Sequence, residues 1–184
     1  LALLRDLAIE CPTQIRERLV IAAAPLLNAD GNERISTANR PRQRGPEGGA
    51  GTRENAQGLD LNRDFVKLEA PETRAVARFL TTWDPAIVID AHTTNGSLHR
   101  YPLTYADMGH PAADPALAAF VRDAMLPAVA DALRAEKGID TFRYGNFDRE
   151  RTRWRSFRPL ACHGTAYAGL RNRIAILTEA YAYA

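Results

Sequence analysis

Three short apolar runs, each handing over to polar residues, constrain this chain more than any other feature. Leu-Val-Ile-Ala-Ala-Ala-Pro-Leu-Leu (residues 19–27) leads into Asn28-Ala29-Asp30-Gly31, and Ile87-Val88-Ile89 leads into Asp90-Ala91-His92. The third, Arg173 to Thr178, runs into Glu179. Apolar runs of this length without polar alternation suit strands covered on both faces, as in parallel sheets.

The text between these runs has helical period. Leu1, Leu4, Leu7 and Ala8 predict a helix that ends near Glu10–Pro12. Pro71-Glu72 opens a second helix, with Val76, Phe79, Leu80 and Trp83 as its apolar stripe and Asp84–Pro85 as its end. Asp114-Pro115 has N-cap and N1 character and opens a third. Leu117, Phe120, Val121, Met125, Val129 and Leu133 supply its stripe, Pro127 predicts a kink, and Gly138 closes it. Strands alternating with helices indicate an α/β domain with a mostly parallel sheet. In such sheets ligands bind beyond the carboxyl ends of the strands, where Asn28/Asp30, Asp90/His92 and Glu179 are expected.

Length and composition exclude several classes. With 184 residues, 46% hydrophobic and 25% charged, the chain can bury one core of ordinary globular type. A net charge of +2 gives no argument for nucleic acid or an anionic membrane as partner. No apolar run approaches the ~20 residues of a membrane span, so membrane insertion is not expected. Two basic clusters, Arg40 to Arg44 and Arg149 to Arg158, read as solvated loop faces. Cys11 and Cys162 have no metal-ligand spacing; they read as two buried free thiols or one disulfide. Both chain ends look abrupt, and residues are expected beyond each.

The long segment 32–61, rich in Gly, Pro and Arg, and the segment 139–162 read as irregular. Gly45 to Gly51 lacks a following Gly-Lys-Ser/Thr and is no phosphate loop. There is no Gly-x-Ser-x-Gly elbow. His99, His110 and His163 share no ligand spacing and default to structural or surface roles.

Three places can carry chemistry. His92 can ligate a metal through one nitrogen while the other bonds a carboxylate, or it can simply hydrogen-bond at the strand end. Burial at the end of its strand would raise the pKa of Glu179 and make it a general base, unless an arginine satisfies it. In Asp60-Leu61-Asn62-Arg63-Asp64 an arginine fork beside an amide suits capture of a planar carboxylate, with Arg53 near in the same loop. A salt bridge from Arg63 to Asp60 or Asp64 is the plain alternative.

Taken in order, Asn28-Ala29-Asp30-Gly31, Arg53, Asp60-Leu61-Asn62-Arg63, Asp90-Ala91-His92 and Glu179 resemble the carboxypeptidase A-like zinc metallopeptidases, in a bacterial branch. The resemblance covers nearly the whole chain and makes residues 1–184 a single, N-terminally truncated catalytic domain. It implies a three-layer α/β fold, a mixed and mostly parallel sheet flanked by helices, lacking its first strands. It implies His92 as a zinc ligand, with a His and a Glu expected upstream of Leu1, since no His-x-x-Glu occurs in this chain. Glu179 would be the general base, Arg53 the oxyanion-stabilising cation, and Asn62 and Arg63 the grip on the substrate's C-terminal carboxylate. Tyr167 or Tyr144 would be the mobile tyrosine, and Cys162 to Ala168 would line the side-chain pocket. The implied substrate is a peptide or small carboxylate, the implied cofactor Zn²⁺, and the implied location periplasmic or secreted. The fragment alone is expected to hold zinc poorly. A same-fold zinc deacylase or amidohydrolase, or a metal-free carboxylate-binding module, stays open at this point.

Overall fold

A computed structural model describes residues 2–182. Helix α1 (Ala2–Glu10) forms where the leucine spacing predicts it, although Leu1 lies outside the described residues. A short helix α2 (Thr13–Arg18) follows.

The first apolar run departs from expectation. Residues 19–27 form no strand and pair with no other segment among the described residues. Leu19, Val20, Ile21, Leu26 and Leu27 are exposed. Leu19 has extended dihedrals, φ −125° and ψ 143°, so the segment has strand-like backbone at its start but no ladder partner. A strand is stabilised by its neighbours, and β propensity alone does not make one.

Helix α3 (Ala29–Glu33) is capped by Asn28, whose Oδ1 accepts the Gly31 amide at 2.9 Å. A Cβ on Gly31 would lie 2.5 Å from the Thr52 carbonyl oxygen, so glycine is needed where these two segments close on each other. Helix α4 (Pro71–Trp83) starts with Pro at its first turn and ends at Asp84 in a left-handed conformation. Its inward residues are Thr73, Ala77 and Leu80. Of the predicted stripe, Leu80 is buried, Val76 and Phe79 flank it, and Trp83 is exposed.

The sheet begins with β1 (Ile87–Thr93) and β2 (Leu103–Asp107). The predicted long helix is α5 (Pro115–Phe120), a π-helical turn (Val121–Met125) and α6 (Leu126–Lys137). The π turn ends two residues before Pro127, which lacks the amide proton an α-helix would use there. The turn rotates the stripe, so Val121 and Leu126 are buried while Phe120 and Val129 face solvent. Gly138 closes α6 at φ 65°.

Residues 139–162 hold three strands that sequence pattern did not reveal: β3 (Thr141–Arg143), β4 (Gly145–Phe147) and β5 (Trp154–Ser156). At three residues each, none is long enough to show alternation. Helix α7 (Gly164–Leu170) and strand β6 (Ile174–Ala180) complete the chain.

The main sheet has the order β1-β6-β2-β3, and β4 with β5 form a separate hairpin. Strands β1 and β6 run parallel, β6 and β2 antiparallel, β2 and β3 parallel. The result is the expected mixed, mostly parallel sheet flanked by helices. Met108, Val121, Leu126, Ala168, Ala175 and Ile176 form the core between sheet and helices. Strand β1 is an edge and is not covered on both faces: Ile87 and Ile89 are 46% and 65% exposed. Both cysteines are free thiols and half-buried.

Candidate active site

Parallel pairing of β1 with β6 sets His92 opposite Glu179. Adjacent strands are about 4.8 Å apart, and register partners project to the same face. The site is built outward from this pair.

His92 is held by Asp90, two residues back on the same face of β1. Its Nε2 lies 2.8 Å from Asp90 Oδ1, and Thr165 Oγ1 donates to Asp90 Oδ2 at 3.3 Å. The ring is thereby oriented with Nε2 committed, and Nδ1 is the nitrogen that can ligate. Burial pulls the His92 pKa down, but Asp90 and Glu179 outweigh it and leave it raised.

Glu179 is 5% exposed, and its Oε2 has no hydrogen-bond partner among the described residues. Burial is the main cause that pushes its pKa up to about 7; Asp90 adds to this, while His92 and Arg53 oppose it. The alternative in which an arginine bonds this carboxylate does not hold here, because Arg53 bonds Asp60 instead.

That ion pair fixes the loop. Arg53 Nε donates to Asp60 Oδ2 at 2.9 Å and Nη2 to Asp60 Oδ1 at 3.3 Å, which leaves Nη1 outside the fork. Asn28 Nδ2 donates to the Arg53 carbonyl at 2.9 Å, and Asp30 Oδ2 accepts the Ala56 amide at 2.9 Å. Asn28 and Asp30 therefore serve as braces for the arginine loop. Asn55 adds a buried brace, its Oδ1 accepting the amides of Gln57 and Leu59.

Asn62 and Arg63 sit in a 3-10 turn (Leu61–Arg63) capped by Asp60. Asn62 Oδ1 accepts the Gly164 amide at 2.9 Å, which ties the motif to the start of α7. Arg63 Nη1 donates to the Asn62 carbonyl at 2.7 Å, and the proposed bridges to Asp60 or Asp64 are not made. Asp64 is buried below the motif and accepts from the amides of Glu69 and Ala70 and from the Thr73 hydroxyl.

The other predicted residues divide. Tyr144 is buried, and its pKa is pushed up to about 12 by burial and then by Glu179, against Arg53 and Arg63. It therefore faces the same group of charges. Tyr167 does not: its hydroxyl accepts from Arg171 at 3.1 Å, and Arg171 also bonds Thr81 near the end of α4. That ties the phenol to Arg171 and to α4, while its ring packs on Phe65 at 5.5 Å.

Two residues join the site without having been singled out for it. His163 is buried, and burial followed by Arg63 lowers its pKa, with Asp60, Arg53 and His92 also acting on it. Arg40, at φ 52°, is a further guanidinium of the group; burial and Arg53 lower its pKa, and Asp60 and Glu54 oppose that. His163 belongs to no spacing motif, and Arg40 was marked only as the first residue of a basic cluster read as a solvated loop face.

A profile of the zinc carboxypeptidase family matches residues 9–150, more than half of the chain. The chain belongs to the zinc carboxypeptidase family. Among curated proteins nothing matches. Solved structures of bacterial proteins share the fold. A chain from Shewanella denitrificans OS-217 superposes with TM-score 0.56 at 20% identity, over 84% of this chain and 35% of its own. A metallo-carboxypeptidase from Burkholderia cenocepacia gives 0.51 at 16% identity, over 74% and 33%. One from Pseudomonas aeruginosa, in complex with (2-guanidinoethylmercapto)succinic acid, gives 0.50 at 20% identity, over 84% and 35%. This zinc carboxypeptidase chain thus spans about a third of the length of the solved chains it matches.

The family's metal can be tested against the donors here. His92 offers an oriented Nδ1, but no group of three or more His, Cys, Asp or Glu side chains that could hold a metal occurs among the described residues. A catalytic zinc needs three protein ligands. The described residues do not make a zinc site by themselves.

Proposed function

We propose that the complete protein hydrolyses the C-terminal peptide bond of peptides, with this chain supplying the base, the oxyanion cation and the carboxylate grip. The observation that carries the reading is the buried, unpartnered Glu179 Oε2 beside His92, within the field of Arg53. A buried carboxyl that titrates near neutral pH and keeps one oxygen unbonded among the described residues suits a group that takes and returns a proton.

In this reading Glu179 removes a proton from the attacking water and passes it to the leaving amine. Arg53, oriented by Asp60 through two of its nitrogens, stabilises negative charge on the carbonyl oxygen. Asn62 and Arg63 bind the terminal carboxylate, and tethering of Asn62 to Gly164 presets the grip. The carboxylate-bearing ligand of the Pseudomonas aeruginosa relative is in keeping with such a grip. His92 would hold zinc through Nδ1, together with a His and a Glu expected upstream of Leu1. Zinc, when bound, supplies Lewis-acid polarisation of the carbonyl.

The test is Glu179→Gln in the full-length protein, read by release of free amino acids from peptides and by zinc content. Turnover is expected to vanish with zinc retained; near-normal turnover removes Glu179 from its role. Release from acylated amino acids but not from peptides would transfer the reading to a deacylase.

A further inference from the structure

Beyond the strand tips the structure holds a second recess, of about 770 Å³. Its walls are Pro41–Arg42, the Gly96–Leu98 segment after β1, and Asn146–Arg151 at the tip of the β4–β5 hairpin. Three guanidinium-bearing residues line it: Arg42, Arg149 and Arg151. The acidic residue on the wall, Asp148, is turned into its own hairpin, accepting the Thr152 amide at 2.7 Å and the Thr152 hydroxyl at 2.9 Å. Positive charge therefore dominates the walls, with Arg149 and Arg151 on the solvated face expected of the second basic cluster. Leu98 and Phe147, both exposed, give the recess an apolar side.

The hairpin presents these arginines from a fixed base. Trp154 Nε1 donates to the Arg143 carbonyl at 3.1 Å. The Trp154 ring meets Phe147 edge-on at 5.0 Å and His99 at 5.8 Å, and His99 packs on Tyr181 at 4.7 Å. Such an aromatic cluster resists hinging of the hairpin.

The walls of the recess follow closely in sequence on residues of the candidate active site. Gly96 lies four residues beyond His92, and Asn146 two beyond Tyr144. At about 3.5 Å per residue of extended chain, the walls begin within about 14 Å and 7 Å of those side chains' backbones. If the grip takes the last carboxylate of a peptide, the part that reaches the recess lies N-terminal to the cleaved bond.

We propose that this recess is a subsite for acidic side chains of the peptide substrate, N-terminal to the cleaved bond. The assignment rests on the carboxypeptidase reading for the direction of the chain, and on the recess itself for the charge it selects. Carboxylates suit forked guanidinium donors, and flanking apolar carbons suit Leu98 and Phe147.

Fluorescence anisotropy on the whole chain tests it, with an acetylated, C-terminally amidated peptide carrying three glutamates and its glutamine counterpart. Amidation removes the ligand of the grip, so the recess is read by itself. The glutamate peptide is expected to bind about tenfold tighter, with an affinity that falls as salt rises. Arg149→Ala with Arg151→Ala is expected to abolish that preference, and the paired Lys substitutions to retain most of it. Equal binding of the two peptides, or an unchanged preference in the Ala variant, overturns the proposal. An oligonucleotide of equal charge that binds as tightly also overturns it. A failure of the carboxypeptidase reading appears elsewhere, as unchanged binding of free-C-terminus peptides by Arg63→Ala.

Discussion

His92 and Glu179 are register partners on adjacent parallel strands, one bonded through Nε2 to Asp90 and the other with an unbonded carboxylate oxygen. The pairing has a consequence for stability. Burial carries the Glu179 carboxyl from 4.5 to about 7, so the folded chain binds its proton more tightly than the unfolded chain does. The stabilisation is complete below the unfolded value and is lost as pH rises through about 7. At about 1.4 kcal/mol per pH unit of displacement it amounts to something on the order of 3 kcal/mol. His92, also raised, acts in the same direction. Denaturant unfolding of this chain at pH 5 and pH 8 is expected to show a fall that Glu179→Gln reduces by more than half. Equal falls in both proteins would show that Glu179 is not the group responsible.

Asp90 orients His92, the zinc ligand of the proposed reading. Removing such a partner typically costs 10- to 100-fold in metal affinity. Asp90→Asn in the full-length protein is expected to weaken zinc binding by that order, measured by competition with a chelator. Zinc affinity equal to that of the parent would mean that the Nε2 contact does not set the ring.

Arg63 is committed at one nitrogen only, to the Asn62 carbonyl. Arg63→Ala is expected to weaken peptides with a free C-terminus by tenfold or more, given ~1.5–3 kcal/mol for a charged hydrogen bond. C-terminally amidated peptides should lose little. Isothermal titration with both peptide forms separates the cases, and an equal loss on both removes the carboxylate grip.

Much of this site was legible because it sits where local pattern and topology agree. Apolar runs ending in Asp90-Ala91-His92 and in Glu179 became adjacent strands, the helix opened by Pro71 formed where its stripe predicted, and the one opened by Pro115 formed behind its Asp114 cap. Residues 19–27 misled for a physical reason. Their composition fits a strand, but a ladder needs a neighbour, and among the described residues none lies beside them. His163 and Arg40 were hidden because tertiary folding alone brings them to Arg53 and Asp60. Tyr167 looked suitable by type, yet its helix directs the phenol to Arg171. The β3 to β5 strands are too short to print a period.

Asp64 supports the Asn62-Arg63 turn from below. It is 1% exposed and accepts three hydrogen bonds, two from backbone amides and one from Thr73. Burial pushes its pKa up, but the Thr73 hydroxyl and the amides of Ala70 and Glu69 outweigh this and hold it below the usual carboxylate range. Asp64→Ala would strand these donors at ~1–3 kcal/mol each. A loss of at least about 3 kcal/mol is expected by urea unfolding, with Asp64→Asn intermediate. A loss below about 1 kcal/mol would show that water replaces the carboxylate easily.

Ile89 lies on the uncovered face of an edge strand, 65% exposed, with Ile87 two residues before it. An unpaired edge with apolar neighbours is a template for association, and a lysine on such a strand blocks it. Because Ile89 buries little, Ile89→Lys should change stability by no more than about 0.5 kcal/mol. Light scattering across a concentration series is expected to show association of this chain that the lysine variant reduces. Association unaltered by Ile89→Lys would place the contact elsewhere, with the exposed Leu19–Ile21 segment as the next surface to substitute.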